Sequence, residues 1–293
     1  GDGRRDHADR TDHRRVRGGL RRRGDGGLTM PFLDAADGTR LFYKDLGGGS
    51  PVVAVHSWSL SSSMWEYQLP TLVQRGHRFV ALDRRGHGRS DVAGTGYDLD
   101  TLADDLHGLL EVLDLRDVTF LAHSMGTCEV TRYLTRHGDE RVARAVFVGA
   151  MTPHFAGAVT EAMVDAVIAD LHTDQPAWFR NGVDAYFARP ASGVSQPLAD
   201  DGVATILATP LEVQAACMRA FARTDLTAEL QAIEIPVLVI HGDVDASAPL
   251  EITGRPTAQL ISDARLEVYA GAPHGLYVTH RERLAEDLGA FIP

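Results

Sequence analysis

Val118-Thr119-Phe120-Leu121-Ala122-His123-Ser124-Met125-Gly126 carries an apolar strand directly into a serine set between small residues. The segment behind it has Val130, Tyr133, Leu134 and His137 on one helical face. A serine on so abrupt a strand-to-helix turn takes an unfavourable backbone conformation, which close packing of small neighbours, here Ala122 and Gly126, permits. This is the pattern of a nucleophile elbow, with Ala122 standing where the first glycine of G-x-S-x-G is usual. It predicts the Ser124 hydroxyl above the sheet edge and the Met125 N–H at a helix N-terminus, facing developing negative charge.

A serine hydroxyl is a weak nucleophile until a base takes its proton, so a histidine oriented by a carboxylate is needed elsewhere in the chain. Ile235-Pro236-Val237-Leu238-Val239-Ile240 reads as a buried strand that spills into His241-Gly242-Asp243-Val244-Asp245 and on to Ala248-Pro249. Leu266 to Tyr269 reads as a short strand ending in Ala270-Gly271-Ala272-Pro273-His274-Gly275. Acid and base therefore stand just past the C-terminal ends of strands, where open α/β sheets hold their sites. The order serine, acid, histidine is that expected of an α/β-hydrolase. His274 is the candidate base. Spacing alone leaves Asp243 and Asp245 both open as the acid, since either could instead cap the turn or the following helix.

His241 to Asp245, Ala248-Pro249, Gly271 to Leu276 and Thr279-His280 together resemble the cofactor-free haloperoxidase and arylesterase family of bacterial α/β-hydrolases. The resemblance runs over nearly everything from Met30 to Pro293. It implies Asp245 as the triad acid and a structural Asp243. Pro51-Val52-Val53-Ala54-Val55-His56-Ser57-Trp58 is an apolar buried strand whose end is similar to the family's His-Gly-Trp, which makes the Trp58 N–H the second oxyanion donor beside Met125. Ser57 stands in place of the glycine, a costly exchange if the turn needs a positive φ there. The family also implies perhydrolysis, peroxide replacing water to give a peracid that oxidises halide. Perhydrolase-like members tend to have proline after the oxyanion tryptophan, where this chain has Ser59, so peracid formation is expected as a side activity.

Leu82-Asp83-Arg84-Arg85-Gly86-His87-Gly88-Arg89-Ser90-Asp91 also resembles the family. Arginine, glycine and aspartate together could suggest phosphate binding, but no G-x-x-x-x-G-K-[ST] or dinucleotide pattern accompanies them. Internal hydrogen bonds bracing the loops beneath the nucleophile are the expectation.

At 293 residues and 44% hydrophobic, the chain can bury a full α/β core. Strands alternate with helical patterns, predicting an α/β-hydrolase fold with a mostly parallel sheet of about eight strands and helices on both faces. Helices are predicted at 100–115, 125–137, 249–261 and 279–291. Between the strand Val142 to Val148 and that beginning at Ile235, four stretches repeat apolar residues at helical spacing: 158–171, 175–187, 196–209 and 211–222. An insertion after the sixth strand would be a helical lid, its Phe155, Trp178, Phe179, Tyr186, Phe187 and Met218 packing onto the core or lining a pocket. The expected layout is a core of 30–150 with 226–293 and a lid of 151–225. An apolar lid favours a small hydrophobic ester.

Residues 1–29 differ in kind, with arginines at 4, 5, 10, 14, 15, 17 and 21 to 23 among Asp, Gly and His. Such a segment buries too little surface to offset its ordering entropy, so disorder is expected. It lacks the apolar stretch of a signal peptide, and no run in the chain approaches the roughly 20 residues of a membrane span, so a cytoplasmic protein with no membrane partner is expected. A formal net charge of -11 argues against nucleic acid as a partner. Cys128 and Cys217 cannot build a disulfide framework, and no ligand spacing of the H-E-x-x-H kind occurs, so neither metal nor cofactor is expected. His241 and His280 read as structural neighbours of the site, and His123 as a packing residue. Self-association stays open.

The expected chemistry is acyl transfer to Ser124, with His274 and Asp245 as base and orienting acid and the N–H groups of Trp58 and Met125 as oxyanion hole. A lactonase or γ-lactamase would use the same triad, and a non-catalytic ligand-binding hydrolase fold is the remaining alternative. A dehalogenase or epoxide hydrolase would want aspartate at the elbow.

Overall fold

The structure, a computed structural model, describes residues 31–153 and 160–293. The expected disorder of 1–29, the family-like start at Met30, and Phe155 with the first residues of the helix expected at 158 lie outside these.

Strands β1 (Phe32–Asp34), β2 (Arg40–Gly47), β3 (Pro51–Val55), β4 (Arg78–Leu82), β5 (Val118–His123), β6 (Val142–Val148), β7 (Val237–Gly242) and β8 (Ala264–Tyr269) form one sheet. Their order is β1-β2-β4-β3-β5-β6-β7-β8. The β1–β2 and β2–β4 pairings are antiparallel and every other pairing is parallel. This is the α/β-hydrolase sheet expected from the sequence. The first two strands carried no clear signal, because β2 buries Leu41, Phe42 and Tyr43 in succession instead of alternating.

Helices α1 (Leu69–Gln74), α2 (Leu99–Val112), α3 (Met125–His137), α4 (Glu161–Phe187), α5 (Gln196–Leu207), α6 (Leu211–Arg223), α7 (Thr227–Gln231), α8 (Gly254–Leu260), α9 (Leu276–Thr279) and α10 (Arg281–Phe291) surround it. Successive strand residues face opposite sides of a sheet. Val53, Val80, Phe120, Phe147 and Val239 accordingly pack with Leu106 and Leu109 of α2 and Val130 and Tyr133 of α3. Their neighbours Val52, Phe79, Leu121, Val146 and Leu238 pack with Leu72 of α1 and Leu284 and Leu288 of α10. Each fully buried aromatic or branched side chain contributes about 1.5–3 kcal/mol by leaving water. The two-sided core is what holds the strand ends, and hence the site, in register.

Several helix boundaries differ from the periodicity. Between β3 and α1 lies a 3-10 turn, Ser62–Trp65, with α1 following separately. The predicted 249–261 helix shortens to α8, because Thr253 (φ -128°, ψ -79°) is non-helical. The helix expected at 279–291 begins at Arg281 as α10, and a short α9 precedes it across His280. The two helices read at 158–171 and 175–187 are one element, α4, broken at Asp174 (φ -158°, ψ 79°). The Asp174 carboxylate accepts from the Ala177 N–H over 3.0 Å and so caps the second half. Helices α4 to α6 follow β6, the sixth strand.

Candidate active site

Strand β5 ends at His123, and the chain turns into α3 through Ser124 with φ 55° and ψ -121°. A non-glycine residue held there stores about 1–3 kcal/mol of strain, which the surroundings must over-determine. They do so through contact and hydrogen bonding. The Ser124 N–H donates to the Val148 carbonyl over 3.0 Å, and the Ser124 carbonyl accepts from the Thr127 N–H and hydroxyl. A Cβ on Gly126 would stand 2.8 Å from the Val55 carbonyl oxygen, so only glycine lets α3 approach β3 this closely. Met125 is the first residue of α3, so its N–H has no partner within the helix, while its side chain is fully buried.

The candidate acid and base meet beyond β7 and β8. His274 Nδ1 lies 2.7 Å from Asp245 Oδ2, and Asp245 Oδ1 accepts from the N–H groups of Ser247 and Ala248 at 2.9 and 2.7 Å. Burial by itself would raise the Asp245 carboxyl, but His274, His241 and the Ala248 amide hold it below its usual range. An ionised carboxylate only accepts, so Nδ1 of His274 carries the proton and Nε2 is the basic nitrogen. His274 and Ser124 line the same cavity. Asp243 instead accepts from the Gly271 N–H over 2.6 Å at the surface, tying the two loops together.

The loop after β3 presents Ser57 and Trp58 to that cavity. His56 Nε2 accepts from the Arg84 N–H over 2.9 Å, which leaves Nδ1 protonated to donate to the Ser57 carbonyl over 2.7 Å. Arg84 Nη1 donates to the same carbonyl over 3.2 Å and Nη2 to the His56 carbonyl over 2.8 Å. Burial, then the nearby Arg84 charge, drives His56 well below the usual histidine range and keeps it neutral. Since the peptide is trans, a Ser57 carbonyl held on Arg84 turns the Trp58 N–H the opposite way. The turn does not need a positive φ at Ser57; it takes one at Ser59, with φ 62°. Serine is therefore unstrained at 57.

Arg84 is itself buried and ion-paired with Glu129 of α3. Arg85 forms a fork on Asp105 at 2.7 and 2.8 Å and also reaches Asp37. Asp83 accepts from the N–H groups of Ser62 and Arg89. The Asp83–Asp91 segment thus does the internal bracing read from its composition.

The cavity holds about 470 Å³. Its walls are largely apolar, with Met151, Val164, Trp178, Phe179, Met218 and Phe221 among them, most of them from α4 and α6. Trp178, Phe179, Tyr186, Phe187 and Met218, singled out from the sequence, all line it. His123 packs beneath: it is fully buried, and its Nε2 is 2.9 Å from the His274 carbonyl. His241 is buried against Ala248 and Asp245, and His280 packs beside Tyr269. Cys128 and Cys217 are buried free thiols, and burial pushes Cys217 up to about 12. Among the described residues no helix is long and apolar enough to cross a membrane.

Sequence reasoning missed His56, Gln214 and Thr209. The Trp58 indole N–H donates to the Gln214 carbonyl over 2.9 Å, and the Thr209 hydroxyl to the Ser59 carbonyl over 3.0 Å. No local signal announces contacts between residues this far apart in the chain; His56, next to Ser57, was readable only as part of the strand end.

A sequence profile for the alpha/beta hydrolase fold matches residues 50–198. A non-heme chloroperoxidase of Kitasatospora aureofaciens is 40% identical over 273 residues, 90% of this chain and 99% of that protein. A bifunctional esterase/perhydrolase of Acinetobacter calcoaceticus is 35% identical over 276 residues, again 90% and 99%. An esterase of Exiguobacterium antarcticum superposes with a TM-score of 0.86 at 32% identity, covering 90% of this chain and 99% of that one.

Proposed function

The chain belongs to the α/β-hydrolase superfamily, in its non-heme haloperoxidase and esterase/perhydrolase family, and from that premise we propose that it is a serine hydrolase of small, mainly hydrophobic carboxylic esters. The observation that carries this reading is the strained Ser124 sharing one apolar cavity with a His274 whose Nδ1 is bonded to Asp245.

In the proposed mechanism Ser124 Oγ attacks the ester carbonyl as His274 Nε2 takes its proton. Asp245 holds the imidazole in the Nδ1–H tautomer and stabilises the imidazolium. The Trp58 and Met125 N–H groups receive the oxyanion, donors of a kind worth about 3–4 kcal/mol each in other hydrolases. The imidazolium returns its proton to the leaving alcohol or phenol, giving an acyl-enzyme. Water, deprotonated by His274, then releases the acid. Hydrogen peroxide in place of water would give a peracid, the side activity that the haloperoxidase and perhydrolase relatives suggest.

Helices α4 to α6, within residues 151–225, act in this reading as a lid on a core of 30–150 and 226–293. A cavity of about 470 Å³ with apolar walls suits an aryl or short-chain ester better than a charged polymer. The test is Ser124→Ala assayed on p-nitrophenyl acetate, with fluorophosphonate labelling of the variant beside the wild type. Loss of turnover and of labelling is expected; a variant that still turns over would remove Ser124 from the mechanism. A panel of esters, lactones and amides scored by kcat/KM separates an esterase from a lactonase.

A further inference from the structure

The oxyanion loop is held from two sides, and only one of them belongs to the sheet. Below it, Arg84 and His56 grip the Ser57 carbonyl. Above it, the corner between α5 and α6 grips the next two residues. The Thr209 hydroxyl, fully buried, donates to the Ser59 carbonyl over 3.0 Å, and the Gln214 carbonyl accepts the Trp58 indole N–H over 2.9 Å.

That corner is cross-linked by hydrogen bonds. The Gln214 side chain is fully buried; its amide N–H donates to the Ile206 carbonyl at the end of α5, and its oxygen accepts from Gln175 in α4 over 2.7 Å. One glutamine therefore links three inserted helices while its own carbonyl holds Trp58. The Trp58 ring is further enclosed by Trp178 and Phe179 of α4 and Phe221 of α6, at centroid separations of 6.3, 5.7 and 6.3 Å. Ser59 keeps a φ of 62° between these grips, a conformation that serine leaves readily unless it is over-determined.

We propose that Thr209 and Gln214 are positioning residues for the oxyanion site: the inserted helices hold the Trp58 N–H in its working direction through the indole of Trp58 and the carbonyl of Ser59. The inference rests on the serine-hydrolase reading above. Its consequence is that these helices take part in stabilising the transition state as well as in enclosing substrate. An N–H displaced by a fraction of an ångström binds the tetrahedral oxyanion less well than it binds a planar ester, so a loosened grip appears in kcat before KM.

The experiment uses the full chain, p-nitrophenyl acetate as substrate and phenylboronic acid as the tetrahedral probe. Thr209→Val keeps the shape and removes the hydroxyl; Trp58→Phe independently removes the indole donor and leaves the backbone N–H. Each is expected to lower kcat about three- to tenfold with KM within about twofold, and to weaken boronate binding by a similar factor. Thr209→Ser should restore kcat. Wild-type kcat and boronate affinity in both variants would overturn the proposal, as would losses in kcat that Thr209→Ser fails to rescue while boronate affinity stays unchanged. If Thr209→Val does not fold, Trp58→Phe decides by the same two readouts. Failure of the underlying reading looks different: Ser124→Ala would remain active, whereas failure of the positioning role leaves Ser124→Ala inactive and the other variants like wild type.

Discussion

Arg84 Nη1 donates to the Ser57 carbonyl over 3.2 Å, and in a trans peptide that bond sets the direction of the neighbouring Trp58 N–H. The arginine that does so is buried and balanced by Glu129. An ion pair in the core is thus coupled to the direction of one proposed oxyanion donor.

Breaking that pair should cost more than removing it. Glu129→Leu or Arg84→Met alone leaves a buried charge without its partner, a loss of about 3–5 kcal/mol, while the double variant should recover much of it. Urea denaturation of the three proteins checks this. Equal losses in single and double variants would mean that the charge is solvated in place.

Asp245→Asn should keep the packing but let His274 adopt the wrong tautomer. A fall in kcat of about 10⁴-fold is the precedent for such a change. Asp243→Asn, at a surface bond to Gly271, should leave kcat within about twofold. Steady-state kinetics on one ester separates the two, and comparable losses would reopen the choice of acid.

Gly126→Ala should destabilise the fold by about 1–3 kcal/mol and lower kcat, since its Cβ would press on the Val55 and His56 carbonyls at 2.8 and 3.1 Å. Thermal unfolding with a parallel assay measures both. Wild-type stability would show that α3 can withdraw from β3.

Ser59, at φ 62°, should accept glycine and reject proline. Glycine relieves strain of about 1–2 kcal/mol. Proline, locked near -65°, would have to rebuild the loop, with a loss of stability and of ester turnover. Bromination of monochlorodimedone in acetate and peroxide then tells whether the rebuilt loop favours peroxide. A stable, fully active Ser59→Pro would show that the positive φ is dispensable.

Stability should fall with acid from about pH 6.5. Burial, then the neighbouring His274 in one case and Arg84 in the other, drives His123 and His87 from 6.5 to about 3. Both are depressed in the folded state, so the unfolded chain binds more protons, and their contribution is complete above 6.5 and lost as pH falls toward 3. Each adds a slope of up to about 1.4 kcal/mol per pH unit in that window. Urea unfolding between pH 7.5 and 5 measures it, and His123→Gln should flatten the profile by one histidine's share; an unchanged slope would mean that His123 is charged when folded.

The elbow, the strand ends and the serine-acid-histidine order could all be read along the chain, because each is a short-range matter of periodicity, small residues and turn chemistry. The mostly parallel sheet followed from the same alternation, although β2 escaped notice where three neighbours are buried in a row. Spacing could not tell Asp243 from Asp245, since both share one loop; burial and the contact with His274 separate them once the β7 and β8 ends are side by side. The strained φ at Ser59 instead of Ser57, and the grip of Thr209 and Gln214 on a loop about 150 residues away, exist only in the folded protein. Those arise from which surfaces pack together, and packing partners distant in sequence leave no periodic trace in either segment.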